Sequence, residues 1–398
     1  MIPRFYLMMS LHLKLLFLLL FMSLAILYLS QILSSRPPSY SYSRSASQKQ
    51  DTVHVLVVSS WRSGSSFLGQ IFNHHNDVFY LFEPGHPTWM KFQQESAELL
   101  HYPVRDLLRS LFTCDVSPLQ HYLPNGGKRV SEFRFFAESR ALCTPPACSA
   151  FIPSEGYDRL SCFQRCRNTS FDKMAEICRT YSHVVMKTVR ILDLSVLLPL
   201  FRDPALDLRI LHLVRDPRAV ALSRKSFSLR IEDKIVLKNE INLTITNITT
   251  SKVMEKICKS QVAINKLART SQTLRGRYMA IRHEDLTSKP VQSLEQIYKF
   301  SGLPLTKELK EWIYNVTHEE IKDKNGFMTF SKMSSKVNQR WRTALDFGLV
   351  QQIQHSCEPA MEVFGYLPAK TKNEQKNITV QLINNEWCQR DNQPSNRV

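Results

Sequence analysis

The run Val55–Phe72, "VLVVSSWRSGSSFLGQIF", sets Arg62, Ser63, Gly64, Ser65 and Ser66 between an apolar stretch and the start of an amphipathic one. A turn that joins a buried strand to a helix presents backbone N–H groups at the positive end of the helix dipole, an arrangement that binds anions. Gly64 allows close approach of the backbone, the three hydroxyls add donors, and Arg62 supplies a bidentate cation. The chemistry predicted is capture of a phosphate or sulfate group. No Gly-x4-Gly-Lys-Ser/Thr pattern can be written here, which argues against a magnesium-dependent kinase. A Ser-rich helix cap with an exposed arginine is the plainer alternative.

A second run of the same kind, "LHLVRDPRAVALSRK" (211–225), carries Arg215 and Arg218 at a helix start and Ser223 within its first turns. Asp216 suits the cap and Pro217 the first helical position, so half of this motif has a structural task. Arginines at a helix start oppose the dipole unless an anion lies between them. Two such turns fit a ligand with two separated anionic groups.

Turns of this kind need strands before them and helices after. Runs at 54–60, 77–83, 183–191, 208–214 and 277–286 are rich in Val, Ile, Leu and aromatics, while 97–112 and 192–201 carry helical spacing. The alternation predicts an α/β fold with a mainly parallel sheet flanked by helices. Ligands in such sheets sit beyond the carboxyl ends of the strands, where the turns after Ser60 and Val214 fall. With neither a repeat nor a second linker-like stretch after Val53, one domain is expected over 53–367, followed by a polar tail over 368–398.

The 398 residues are 43% hydrophobic, enough for a core rather than disorder, and the net charge is +17. That excess draws anionic ligands or polymers, or is simply a basic surface. Leu15 to Leu33 is nearly free of charge and long enough to cross most of a bilayer, so 15–33 is predicted to be an uncleaved signal-anchor. Arg4 and Lys14 then leave 1–14 cytosolic, 34–52 forms a Ser/Pro-rich stem, and the remainder is lumenal. Acceptor triplets for N-glycosylation at Asn168, Asn242, Asn247, Asn315 and Asn377 all lie on the lumenal side. So do the nine cysteines, Cys114, Cys143, Cys148, Cys162, Cys166, Cys178, Cys258, Cys357 and Cys388, which suits disulfides in an oxidising compartment. Their odd number leaves at least one unpaired or joined to another chain. A zinc site around Cys162 and Cys166 is the alternative, without a second closely spaced Cys/His pair to complete it.

In order and spacing, "HVLVVSSWRSGSSFLGQIF", "DVFYLFEP", "SRALCTPPACSAF", "RTYSHVVMKTVR", "LHLVRDPRAVALSR" and "RYMAIRHEDL" resemble the Golgi carbohydrate sulfotransferases, within them the galactose/N-acetylglucosamine/N-acetylgalactosamine 6-O-sulfotransferases. The resemblance covers nearly the whole lumenal chain. It implies a P-loop-like sulfotransferase domain, 3′-phosphoadenylyl sulfate as donor, a glycan acceptor, a Golgi membrane location and no metal. It places Trp61, Arg62, Ser63, Gly64, Ser65, Ser66 and Phe67 around the 5′-phosphosulfate. It assigns Arg215, Asp216, Pro217, Arg218, Ala219, Val220, Ala221, Leu222 and Ser223 to the 3′-phosphate, with Arg215 and Ser223 as main contacts. The sequence resembles most the members that act on N-acetylglucosamine in keratan-type or mucin-type chains; galactose or N-acetylgalactosamine is the alternative. It departs from them at Thr188, where a glutamate is usual, and in "EPGHPTW" (83–89), and both departures are expected near the acceptor.

Sulfuryl transfer needs in-line geometry, charge stabilisation and a proton acceptor. Arg62 and the loop N–H groups are candidates for the second, and Glu83, just beyond "DVFYLF", for the third, with a salt-bridged or capping carboxylate as its plainer role. His86 is the second-choice base, and Lys187 and Arg190 are candidates to neutralise the donor or an acidic glycan. A kinase lacks support without the lysine-containing loop, and a non-catalytic lumenal lectin leaves the two anion-binding turns unexplained. No nucleic-acid partner is expected, and the oligomeric state, a homo-oligomer included, stays open.

Overall fold

The computed structural model describes residues 19, 21–26, 28, 52–123, 127–152, 157–239, 248–318, 334–385 and 387. It divides the chain into Met1–Gln50 and Asp51–Val398. In the first unit, 21–26 are helical. Among the described residues no helix is long and apolar enough to cross a membrane, and most of the anchor expected over 15–33 lies outside them.

The second unit is built on five parallel strands: β1 (Val53–Ser59), β2 (Val78–Phe82), β3 (His183–Thr188), β4 (Asp207–Val214) and β5 (Tyr278–Arg282), in the order β2-β3-β1-β4-β5. Their apolar runs are continuous because both faces are covered, and Val55, Leu56 and Val57 have no exposure at all. The expected strands are all present: β4 ends at the expected Val214, β1 and β2 end one residue early, and β3 and β5 stop at Thr188 and Arg282, before the polar ends of their expected runs. Chain order reverses about β1, whose neighbours β3 and β4 lie on opposite sides. The carboxyl ends of β1 and β4 therefore open a crevice, the usual ligand position in a doubly wound sheet.

Helix α1 (Ser65–Asn73) follows β1, and α2 (Ala97–Phe112) coincides with the stretch expected to be helical. Ser96 caps α2 by accepting a hydrogen bond from the Leu99 N–H, and Leu100, Val104, Leu107, Leu108 and Leu111 form its buried face. The second expected helix, 192–201, is instead a 3₁₀ helix over Leu194–Arg202. Pro199 within it lacks the N–H that an α-helix would use. Helices α3 (Pro217–Lys225), α4 (Arg230–Leu237) and α5 (Thr250–Thr270) follow β4.

Among the described residues four disulfides join Cys114–Cys178, Cys143–Cys162, Cys148–Cys166 and Cys258–Cys357. Cys162 and Cys166 are thus bonded to different partners rather than sharing a metal, and Cys388 lies outside the described residues. Asn168, Asn315 and Asn377 are exposed, as glycosylation requires; Asn242 and Asn247 are outside the described residues.

Described residues beyond the expected end at Leu367 pack against the domain. Leu367 N–H donates to the Leu382 carbonyl, Trp387 Nε1 to the Val363 carbonyl, and Arg342 to the carbonyls of Asn377 and Val380. Ala369, Leu382 and Trp387 are buried. A few apolar anchors and the Arg342 guanidinium hold down a stretch whose composition reads as a solvated tail.

Candidate active site

Beyond Ser59 the backbone turns through two left-handed residues, Arg62 (φ +71°) and Gly64 (φ +85°). Glycine takes that conformation freely; an arginine needs its surroundings to hold it there. Arg62 Nε donates to Ser223 Oγ at 3.0 Å, its guanidinium lies 3.5 Å from the Phe227 ring centroid, and its carbonyl accepts from Arg215 Nη1 at 3.1 Å. The two turns are therefore tied together through the same three residues. Burial, with Arg215 and Arg224 nearby, pushes Arg62 down to about 10, still a cation at neutral pH.

Both turns face one cavity of about 710 Å³, within the range of small-ligand sites. From the first turn Trp61, Arg62, Gly64, Ser65, Ser66 and Phe67 line it, whereas Ser63 is turned into the loop, its hydroxyl 2.6 Å from that of Ser60. From the second, Arg215, Ala219, Leu222 and Ser223 line it. That spacing is the period of α3, and Asp216, Pro217, Arg218, Val220 and Ala221 fall on its other side.

Arg218 is wholly buried and committed to the fold. It makes a bidentate pair with Asp216, donates to Gln354 Oε1 and the Leu367 carbonyl, and stacks 4.1 Å from the Trp341 ring centroid. Asp216 in turn caps α3 through the Arg218 N–H. Arg215 differs: its Nε is buried with no partner among the described residues. An orphaned guanidinium donor on the wall of a cavity is the state expected of a group that awaits an anion.

Glu83 also has a left-handed backbone, φ +49°. Its two carboxylate oxygens pair separately with Lys187 Nζ and Arg190 Nη1, and all three side chains line the cavity. Burial alone would raise the Glu83 carboxyl, but Lys187 and Arg190 outweigh it and hold the group well below the usual carboxylate range. Arg190 is itself seated 5.8 Å from the ring centroids of Trp61 and of Trp89. Trp89 belongs to "EPGHPTW", so that segment packs near Arg190. Thr188 Oγ1 accepts from the Arg190 N–H, is buried, and does not reach the cavity. Burial and Arg190 push His86 down to about 4, and it does not line the cavity either.

Four titratable lining residues escape a reading of the local sequence: Arg134, Glu232, His283 and Arg340. The His283 ring fills the space a side chain at Gly64 would need, 2.7 Å from an added Cβ. Burial and Arg215 hold His283 well below its ordinary value, so it is a neutral imidazole, and its Nδ1 has no partner among the described residues. Gly64→Ala is therefore expected to weaken binding of 3′-phosphoadenosine 5′-phosphate by roughly ten-fold, through backbone strain of about 1–3 kcal/mol and displacement of His283. Calorimetry checks this, and unchanged affinity would show that the loop does not touch the ligand.

Residues 52–365 match the family described as "Sulfotransferase domain". Carbohydrate sulfotransferase 6 of Homo sapiens is 43% identical over 336 residues, 83% of this chain and 85% of that protein. Carbohydrate sulfotransferase 4 of Mus musculus is 40% identical over 346 residues, 85% of this chain and 89% of that protein. Carbohydrate sulfotransferase 3 of Homo sapiens is 34% identical over 351 residues, 83% of this chain and 70% of that protein.

Proposed function

The chain belongs to the sulfotransferase-domain family, and from that premise we propose that it is a carbohydrate sulfotransferase of the Golgi membrane, transferring a sulfuryl group from 3′-phosphoadenylyl sulfate to the 6-hydroxyl of a glycan sugar, N-acetylglucosamine in keratan-type or mucin-type chains. The names of its relatives support the acceptor class. The observation that carries the reading is the convergence of two cation-bearing turns on one cavity, with the Arg215 Nε left for an anion. The uncharged run 15–33 and the position of every sequon and cysteine C-terminal to it support a type II anchor.

Bound there, 3′-phosphoadenylyl sulfate supplies the sulfuryl group as substrate. Ser65, Ser66 and the N–H groups opening α1 hold the 5′-phosphosulfate, and Arg62 balances its charge. Arg215 and Ser223 hold the 3′-phosphate, and Arg218 acts through Asp216 and the start of α3. As the acceptor oxygen bonds to sulfur and the bond from sulfur to the phosphate oxygen breaks, Glu83 takes the hydroxyl proton and Lys187 stabilises the charge on the departing phosphate. A carboxylate held by two cations is a weak base. Once Lys187 engages the phosphate, one of those cations is withdrawn and the proton affinity of Glu83 rises. Incubating the full-length protein with labelled donor and a panel of sugars tests the reading: label should enter N-acetylglucosamine-terminated chains. Binding of 3′-phosphoadenosine 5′-phosphate without transfer to any sugar would refute the acceptor class.

A further inference from the structure

Arg190 stands between two carboxylates. One is Glu83; the other is Glu232, in the first turn of α4, whose Oε1 lies 4.0 Å from Arg190 Nη2. That separation is beyond hydrogen bonding, and Glu232 has no other ion pair and no hydrogen bond among the described residues. An acid in the first turn of a helix suits the helix dipole, but the neighbouring Asp233 is already there and is paired with Arg224. Glu232 instead lines the cavity. Its side chain is 15% exposed, so its oxygens are open to a ligand yet shielded from bulk solvent.

The two carboxylates differ in what they can still do. Glu83 is saturated by two close cations, whereas an ionised Glu232 keeps nearly all its acceptor positions. Such a group repels phosphate, sulfate and carboxylate, and it accepts hydrogen bonds from hydroxyls. The donor's anionic groups therefore belong at Arg62 and Arg215 rather than at Glu232. We propose that Glu232 marks the acceptor half of the cavity, receives hydroxyl groups of an uncharged sugar, and selects against an acceptor that carries a carboxylate or sulfate at that position. This rests on the sulfotransferase reading and narrows it: a neutral chain fits beside Glu232, and a chain with a uronic acid there does not.

The test uses full-length wild type and Glu232→Gln, with a neutral N-acetylglucosamine-terminated oligosaccharide and a uronate-bearing chondroitin oligosaccharide as acceptors. The variant should raise KM for the neutral acceptor by about ten-fold, keep kcat within about three-fold, and shift the ratio of kcat/KM values toward the uronate-bearing acceptor. Affinity for 3′-phosphoadenosine 5′-phosphate should stay within about three-fold, which also reports that the variant folds. Glu232→Asp, keeping the charge on a shorter arm, should retain the wild-type preference for the neutral acceptor. An unchanged KM and unchanged preference would overturn the proposal. So would a kcat loss without a KM change, which assigns Glu232 to proton transfer, or a marked tightening of the nucleotide, which places it against the donor. If wild type itself sulfates neither acceptor, the carbohydrate reading fails first and takes this proposal with it.

Discussion

Glu83→Gln is expected to lower the turnover of sulfate transfer by about 10²–10⁴ while 3′-phosphoadenosine 5′-phosphate binds as well as before or more tightly. The amide keeps the size of the side chain but cannot take the acceptor's proton. It also leaves Lys187, which is buried, without its counter-charge, and buried Arg190 with only Glu232 at 4.0 Å. Removing one member of a buried ion pair costs roughly 3–5 kcal/mol of stability, so the variant should unfold more easily. An anionic ligand meets the same two cations and offsets part of that loss, which is why nucleotide affinity should not fall. Calorimetry and initial rates measured on one preparation separate the alternatives. Near-normal turnover would assign the base to another group lining the cavity, since His86 does not reach it. Joint collapse of binding and turnover would make Glu83 a structural counter-ion.

The second large effect belongs to Arg215. Arg215→Ala should weaken 3′-phosphoadenosine 5′-phosphate by about ten- to a hundred-fold, the roughly 1.5–3 kcal/mol of one charge-assisted contact. Adenosine 5′-phosphosulfate, which lacks the 3′-phosphate, should lose less. It should still lose something, because Arg215 Nη1 also holds the carbonyl of left-handed Arg62 and so shapes the first turn. Equal losses for the two ligands would show that Arg215 acts only through that carbonyl.

The strands were legible because fully covered parallel strands read as unbroken apolar runs, and both anion-binding turns were legible because each follows such a run directly. Within 215–223, Arg215 and Ser223 were singled out as main contacts and both line the cavity; the rest of the run could not be sorted, because a helix shows only one side to a cavity, and Ala219 and Leu222 line it while Arg218 holds Asp216 from the other side. Glu83 was found from its place after β2; its double ion pair could not be, because Lys187 on β3 and Arg190 just beyond it arrive about a hundred residues later. Glu232 and His283 carry no local pattern of their own. Only the crossover of β4 and β5 past β1 brings them to the same opening. The packing of 368–387 escaped for a related reason, since three anchors in a polar stretch have no periodicity to read.

The central claim is that the two turns form one donor site from which sulfate passes to a sugar 6-hydroxyl. The most direct measurement is to incubate the full-length protein with radiolabelled 3′-phosphoadenylyl sulfate and an N-acetylglucosamine-terminated oligosaccharide, then map the sulfated position in the purified product. The expected result is label on the 6-oxygen of N-acetylglucosamine, with transfer inhibited competitively by 3′-phosphoadenosine 5′-phosphate. Label on another hydroxyl, or tight nucleotide binding with no transfer to any sugar, would contradict the account.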